Sequence, residues 1–206
     1  MDKSPNITLA IESAIRGGSI SLITGDVEID NWIGSTDVSK AEDLLVDIDA
    51  MLQRNRLSIR DIDHIAVSAG PGSFTGIRIG IATALGLKSG LGIPVSTVSA
   101  LSAMAGIIDL DGQATVAVPV GRNAICMQTF SIGKIATDEP RSISFEEFGD
   151  EVQGAAKLIL HGSLFEQFGR LGESIDCGEN IAVAIGQICI KTPGTTAEPL
   201  FISKSF

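Results

Sequence analysis

Very little in this sequence can hold a metal ion or close a disulfide. The three cysteines, Cys126, Cys177 and Cys189, stand far apart with no Cys-x-x-Cys pair. That excludes a disulfide framework and a zinc knuckle and leaves them as small core residues. The two histidines, His64 and His161, fall in separate predicted strands. A helical metal site needs a pair about three or four residues apart with a carboxylate nearby, so structural roles are expected and no metal site. Cations are scarce: 15 Lys and Arg against 25 Asp and Glu give a net charge of -10, a poor match for a phosphate backbone. Any RNA would have to be held by another subunit. No apolar run reaches the length of a membrane span, and Met1 to Asn6 lacks the basic start and apolar centre of a signal peptide. A cytoplasmic protein without membrane contact is expected. No G-x-S-x-G elbow, Walker Gly-Lys-Ser/Thr or G-x-G-x-x-G occurs, so no catalytic residue is nominated.

Against these absences, 44% of the 206 residues are hydrophobic, enough for a large core in one domain or two lobes. Ile7, Leu9 and Ile11 alternate with Thr8, Ala10 and Glu12, the period of a strand. Turns at Arg16-Gly17-Gly18 and Thr24-Gly25-Asp26 set off strands at Ser19 to Ile23 and Val27 to Ile33, a three-stranded meander. Ser39-Lys40-Ala41-Glu42 is a capping box. It opens a helix over 39–55 with Ala41, Leu44, Leu45, Ile48, Met51 and Leu52 on one face and acidic residues largely outside it. His64 to Ala69 and Pro94 to Val98 predict strands, with a helix at 75–90 between them. The order β-β-β-α-β-α-β fits an α/β layer in which parallel strands extend a meander through right-handed crossovers. This is the pattern of the ribonuclease H-like half of actin-like (ASKHA) proteins.

After residue 100 the theme returns more weakly. Helices are expected at Ser99 to Ile108, Phe145 to Gln153 and Asn180 to Ile190, and strands at Ala114 to Val118, Ile125 to Phe130 and Lys157 to His161. Ala197 to Ile202 reads as a closing extended segment. Pattern alone divides the chain into an actin-like lobe at 1–100 and a smaller lobe at 101–206, the last segment being free to return to the first.

The densest signal is Gly70-Pro71-Gly72-Ser73-Phe74-Thr75-Gly76, an irregular turn between a strand and an apolar helix. Such a turn can aim free amides at a phosphate, or it can simply be a turn. With Glu12 and Ser13 closing the first strand, it nominates Glu12, Ser13, Gly70, Gly72 and Ser73 as cofactor-binding candidates; an acidic strand end can equally be just solvated. In the following helix, Gly76, Gly80 and Ala84 recur every four residues beside a ridge of Ile77, Ile81 and Leu85. Between Ile77 and Leu87 the one charged residue is Arg78. A smooth stripe of this kind admits another helix closely, either a partner's or the chain's own helix at 39–55.

The run at residues 70–84, Gly-Pro-Gly-Ser-Phe-Thr-Gly-Ile-Arg-Ile-Gly-Ile-Ala-Thr-Ala, closely resembles the signature of the TsaB (YeaZ) family. Leu9 to Ser13 resembles its first-strand motif, Ala197 to Phe201 its closing segment, and Arg122 falls where the family has an arginine at the start of a strand. The resemblance is strong over 7–100 and faint over 101–190. It implies actin-like lobes with no catalytic machinery and no cofactor of their own, bound to the related subunit TsaD. With TsaE, and an adenylate supplied by TsaC, TsaD attaches threonylcarbamoyl to adenosine 37 of tRNAs reading codons that begin with A. ATP or ADP would belong to that complex, and tRNA would be met only through it. The family's contact with TsaD is a bundle of the helices corresponding to 39–55 and 75–90. That makes Leu44, Ile48 and Met51, with Gly76, Ile77, Arg78, Gly80, Ile81 and Ala84, the expected interface, and a homodimer is expected when the partner is absent. On this reading Gly80→Leu should prop the helices apart while the chain stays folded. The sequence departs from the family at Glu12, usually Asp, at Asp37-Val38-Ser39, where many members carry a histidine, and at Val120-Gly121-Arg122. These departures fit a scaffold better than the alternative, a small actin-like ATP-dependent phosphotransferase or ATPase.

Overall fold

The structure, a computed structural model, describes residues 6–35, 43–153, 157–194, 196 and 199. Strands β1 (Ile7–Glu12), β2 (Ser19–Thr24) and β3 (Val27–Ile33) form the antiparallel meander, and β4 (His64–Ser68) and β5 (Val95–Val98) extend it in parallel. The sheet order is β3-β2-β1-β4-β5. Helix α1 (Leu44–Arg54) follows β3, α2 (Phe74–Leu91) follows β4, and α3 (Ala100–Ile107) follows β5. The capping box at 39–42 lies outside the described residues, and so does the closing segment at 197–202 apart from residue 199.

The second half repeats the plan. Strands β6 (Ala114–Val120) and β7 (Ala124–Ser131) are antiparallel, and β8 (Ile135–Ala136) and β9 (Arg141–Ser144) both pair with β7. Helix α4 (Phe145–Glu151) leads to β10 (Lys157–Leu160), parallel to β6; α5 (Gly162–Phe168) leads to β11 (Glu173–Asp176), parallel to β10. Helix α6 (Ile181–Lys191) follows. The expected strands and helices of this half are present within a few residues, while β8, β9, α5 and β11 are additions to the sequence reading.

Helix ends follow their residues. Ser73 starts α2 by accepting from the Gly76 amide at 3.3 Å, and Gly92 ends it in the left-handed conformation, φ 72°. Ser144 and Glu147 form a reciprocal box at the start of α4, with bonds of 3.1 and 2.8 Å. Ser99 caps α3.

Five layers result. Leu9, Ile11, Ile20, Leu22, Ile65 and Val67 of the first sheet face α1 and α2 in one core. The opposite face, through Ala10, Ile23 and Ala66, packs on α6, which in turn packs against α3. Helix α3 covers the inner face of the second sheet, with Val116, Val118, Cys126 and Phe130 in the same core, and the far face of that sheet carries α4 and α5. The sequence Ile-Ala-Val-Ala-Ile-Gly-Gln-Ile-Cys-Ile of α6 has no charged residue before Lys191, as a helix covered all round requires. The two sheets therefore share one central core instead of meeting across a wet cleft. Cys126 and Cys189 are buried in it and Cys177 packs against it; burial pushes all three thiols up to about 12, away from thiolate chemistry.

Candidate functional site

The glycine loop sits at the C-terminal edge of the parallel strands, where α/β sheets place their ligands. It follows β4, contains a cis Gly70–Pro71 peptide, and touches the start of α3 through an Ala100 amide to Gly70 carbonyl bond of 2.7 Å. Its concave side is not open. Residues 13–14, in the turn after β1, run into it: the Ser73 amide donates to the Ala14 carbonyl at 2.7 Å, and the Ser13 hydroxyl donates to the Gly76 carbonyl at 2.9 Å. A Cβ on Gly72 would press into the Ala14 backbone, and one on Gly76 into the Ser13 carbonyl. The space that a phosphate cradle would leave for its ligand is thus filled by the chain's own backbone. Of the cofactor-binding candidates, Ser13, Gly70, Gly72 and Ser73 are engaged in this packing.

Glu12 ends β1 on the side of Ala10, facing away from α1 and α2, with 2% of its surface exposed. Its Oε1 accepts from the amides of Ala14 at 2.6 Å and Ile15 at 3.0 Å. Burial pushes the carboxyl up to about 7, against the downward pull of those two bonds. His161, at the corresponding end of β10, caps α5: its Nδ1 accepts from the Ser163 amide at 3.2 Å. Burial pulls it down to about 4, outweighing the Asp176 carboxylate and a bond to the Glu179 backbone.

These two groups oppose each other in pH dependence. Glu12 holds its proton more tightly folded than unfolded, so its stabilisation is complete below about 4.5 and is lost as pH rises to about 7. His161 holds its proton less tightly folded, so its stabilisation is complete above about 6.5 and is lost as pH falls to about 4. Glu12→Gln should leave the histidine slope exposed, with stability rising by on the order of 3 kcal/mol between those pH limits. His161→Asn should leave the opposite slope. Urea midpoints across the range measure both, and parallel curves for the two variants would contradict the assignment.

The remaining histidine, His64, is buried in the first sheet with Nε2 2.9 Å from the Ser96 hydroxyl, which also accepts from the Gly194 amide at 3.0 Å. Burial lowers its pKa. A cavity of about 230 Å³ opens at the opposite edge of the sheet from the glycine loop, lined by Asn6, Thr8, Asp63, His64, Pro94 and Ile190 among others. Among the described residues no three His, Cys, Asp or Glu side chains gather as a metal ion would need. Arg122 lies in the exposed turn between β6 and β7.

The helix surfaces correct the sequence expectation. Leu44, Ile48 and Met51 of α1 are buried against the first sheet, and Gly76, Ile77, Gly80 and Ala84 are the buried face of α2. Gly80 packs on Ser13 and Val67, so its smallness serves the approach of α2 to its own sheet and loop. Gly80→Leu would therefore disturb the fold itself. Of the expected interface only Arg78 is exposed, with Ile81 half-buried. What α2 presents outward is Phe74, 50% exposed, Arg78, Ala82 and Leu85, 51% exposed, with Ile81 alongside. The Arg78 guanidinium lies 3.8 Å from the centre of the Phe74 ring, a stacking that holds its charge over the stripe. On α1, Leu45 and Val46 are exposed. The signal was present in the sequence: the one charged residue in the helix body marks its outer face, and positions 74, 78, 82 and 85 share that face.

Two meander-first sheets related by a repeat, with shared central helices, define the actin-like, ribonuclease H-like α/β class. YeaZ from Pseudomonas aeruginosa has the same fold, with a TM-score of 0.68 at 17% identity over 96% of this chain and 100% of that one. The ethanolamine utilization protein EutJ from Carboxydothermus hydrogenoformans is more distant, with a TM-score of 0.54 at 10% identity and 92% of each chain covered. In sequence, residues 38–167 match the family model of TsaD, tRNA N6-adenosine threonylcarbamoyltransferase. The chain belongs to that family, on its TsaB (YeaZ) side. The tRNA threonylcarbamoyladenosine biosynthesis protein TsaB of Haemophilus influenzae is 35% identical over 102 residues, 48% of this chain and 42% of that one. TsaB of Escherichia coli is 35% identical over 97 residues, 47% and 42% of the two chains. The matched stretch thus spans less than half the length of these curated relatives.

Proposed function

We propose that this chain is a noncatalytic subunit in tRNA threonylcarbamoyladenosine biosynthesis, which docks a TsaD partner through the outer stripe of α2 and supports transfer of threonylcarbamoyl to adenosine 37. The observation that carries this reading is the stripe itself. Phe74, Ile81 and Leu85 put large apolar side chains at or near the surface of a helix whose other face already holds the chain together. Apolar area of that kind gains from being covered, and the names of the curated relatives supply the pathway. TsaE joins the complex, any ATP or ADP is held there and not by this chain, and the net charge of -10 leaves tRNA to the other subunits. Without TsaD, a second copy covers the same stripe. Such a role belongs in the cytoplasm.

The test is reconstitution. TsaD, TsaE, the threonylcarbamoyl-adenylate source and unmodified tRNA are combined with and without this chain, and threonylcarbamoyladenosine is measured in the digested tRNA. Product is expected only with the chain present, and the chain alone should give none. Equal product in both mixtures would overturn the proposal.

A further inference from the structure

Glu12 is the one buried acidic side chain whose carboxylate meets two successive backbone amides of a turn, at 2.6 and 3.0 Å on a single oxygen, among the hydrogen bonds of the described residues. Converging amides of this kind make a concavity that attracts small oxyanions. We infer that the amides of Ala14 and Ile15 form a cradle for a carboxyl oxygen which this chain fills from within, and that the Glu12 carboxyl group in it holds the start of α2.

The second half follows from what the same turn does on its other side. Its Ala14 carbonyl receives the Ser73 amide, its Ser13 hydroxyl holds the Gly76 carbonyl, and its backbone fills the space at Gly72 and Gly76. Glu12 therefore fixes residues 13–15, and residues 13–15 seat the first turn of α2. Removing the carboxylate leaves two amides short of a partner in a site that is 2% exposed at Glu12, and buried amides do not tolerate that. The turn then relaxes and the seat loosens. Glu12 acts as a positioning residue: its carboxyl oxygen bonds the next residues of its own chain and works through the turn. The inference rests on the docking proposal only in making the start of α2 matter to a partner; the seat is intramolecular.

Hydrogen exchange on the isolated chain tests it without a partner. In Glu12→Ala, the amides of Ala14, Ile15 and Ser73 should exchange about tenfold faster or more, the loss of a buried bond. Glu12→Gln keeps an oxygen at the cradle and should exchange as the wild type does. Sodium formate, a free carboxylate small enough for the vacated position, should slow exchange in Glu12→Ala but not in the wild type, and sodium chloride at equal ionic strength should not. Wild-type exchange in Glu12→Ala, fast exchange in Glu12→Gln, or equal effects of formate and chloride would each overturn the inference. If Glu12→Ala is recovered unfolded, its refolding yield decides in the same way: a higher yield in formate supports the cradle, and equal yields refute it. None of these readouts involves the α2 stripe, so failure here is distinct from failure of the docking reading.

Discussion

Gly76→Ala is expected to lower the stability of the chain by about 3 kcal/mol or more, a drop of roughly 6–12 °C in melting temperature for a protein of this size. The added methyl meets a backbone carbonyl, that of Ser13, and not the tip of a flexible side chain. To make room, either α2 must lift from the turn after β1, breaking the Ser73 to Ala14 and Ser13 to Gly76 bonds, or β1 must move within a sheet that is buried on both faces. The same substitution three turns on should have the opposite sign. Gly86 lies on the exposed side of the same helix with nothing within 4 Å of its would-be Cβ, so Gly86→Ala should gain up to about 1 kcal/mol from helix propensity alone. Thermal denaturation of the two variants side by side separates close approach from general helix effects. Similar shifts in both would contradict the packing described for Gly76.

Leu85→Glu is expected to leave melting within about 1 °C of the wild type and to weaken binding to TsaD by about a hundredfold or more. Half of the leucine is already in water, so the folded chain gives up little when it is replaced. A docked helix, by contrast, would have to bury a carboxylate where it expects a methyl-bearing side chain, and central apolar anchors of interfaces carry penalties of about 2 kcal/mol and upward. Phe74→Ala should act in the same direction, more weakly, and should also free Arg78 from the ring it stacks on. Titration calorimetry against TsaD measures the affinity, and sedimentation of the isolated chain shows whether the same variant dissolves any homodimer. Undiminished affinity in Leu85→Glu would remove α2 from the interface.

How far the sequence reached can be seen in these same residues. The first sheet was legible because Ile7 to Glu12 alternates cleanly and glycine turns separate the meander strands. The direction of α2 was not. A stripe of Gly76, Gly80 and Ala84 says only that something approaches closely, and periodicity cannot tell a partner's helix from the chain's own turn at Ser13 and Ala14, more than sixty residues away in sequence. In the second half, α5 was hidden because its cap is His161, an uncommon choice, and because it spans seven residues. Strand β11, Glu-Ser-Ile-Asp, has a single apolar residue to betray it. The role of Glu12 was read as a choice between ligand handling and solvation; the side chain is buried, not solvated, and its carboxyl turns back onto the next residues of its own chain.

The covering of the first sheet by α6, the last helix, also sets a timetable. Ala10, Ile23 and Ala66 belong to the first third of the chain, yet the surface that covers them comes from residues 181–191. As the polypeptide leaves the ribosome, the first lobe can assemble its strands and close the side beneath α1 and α2, but its inner face stays uncovered until α6 emerges. The nascent first half is then an open hydrophobic sheet for most of synthesis, the state in which chaperones capture chains. Ribosome-bound chains halted before residue 181 should consequently be protease-sensitive throughout, with resistance appearing for both halves together once α6 is free.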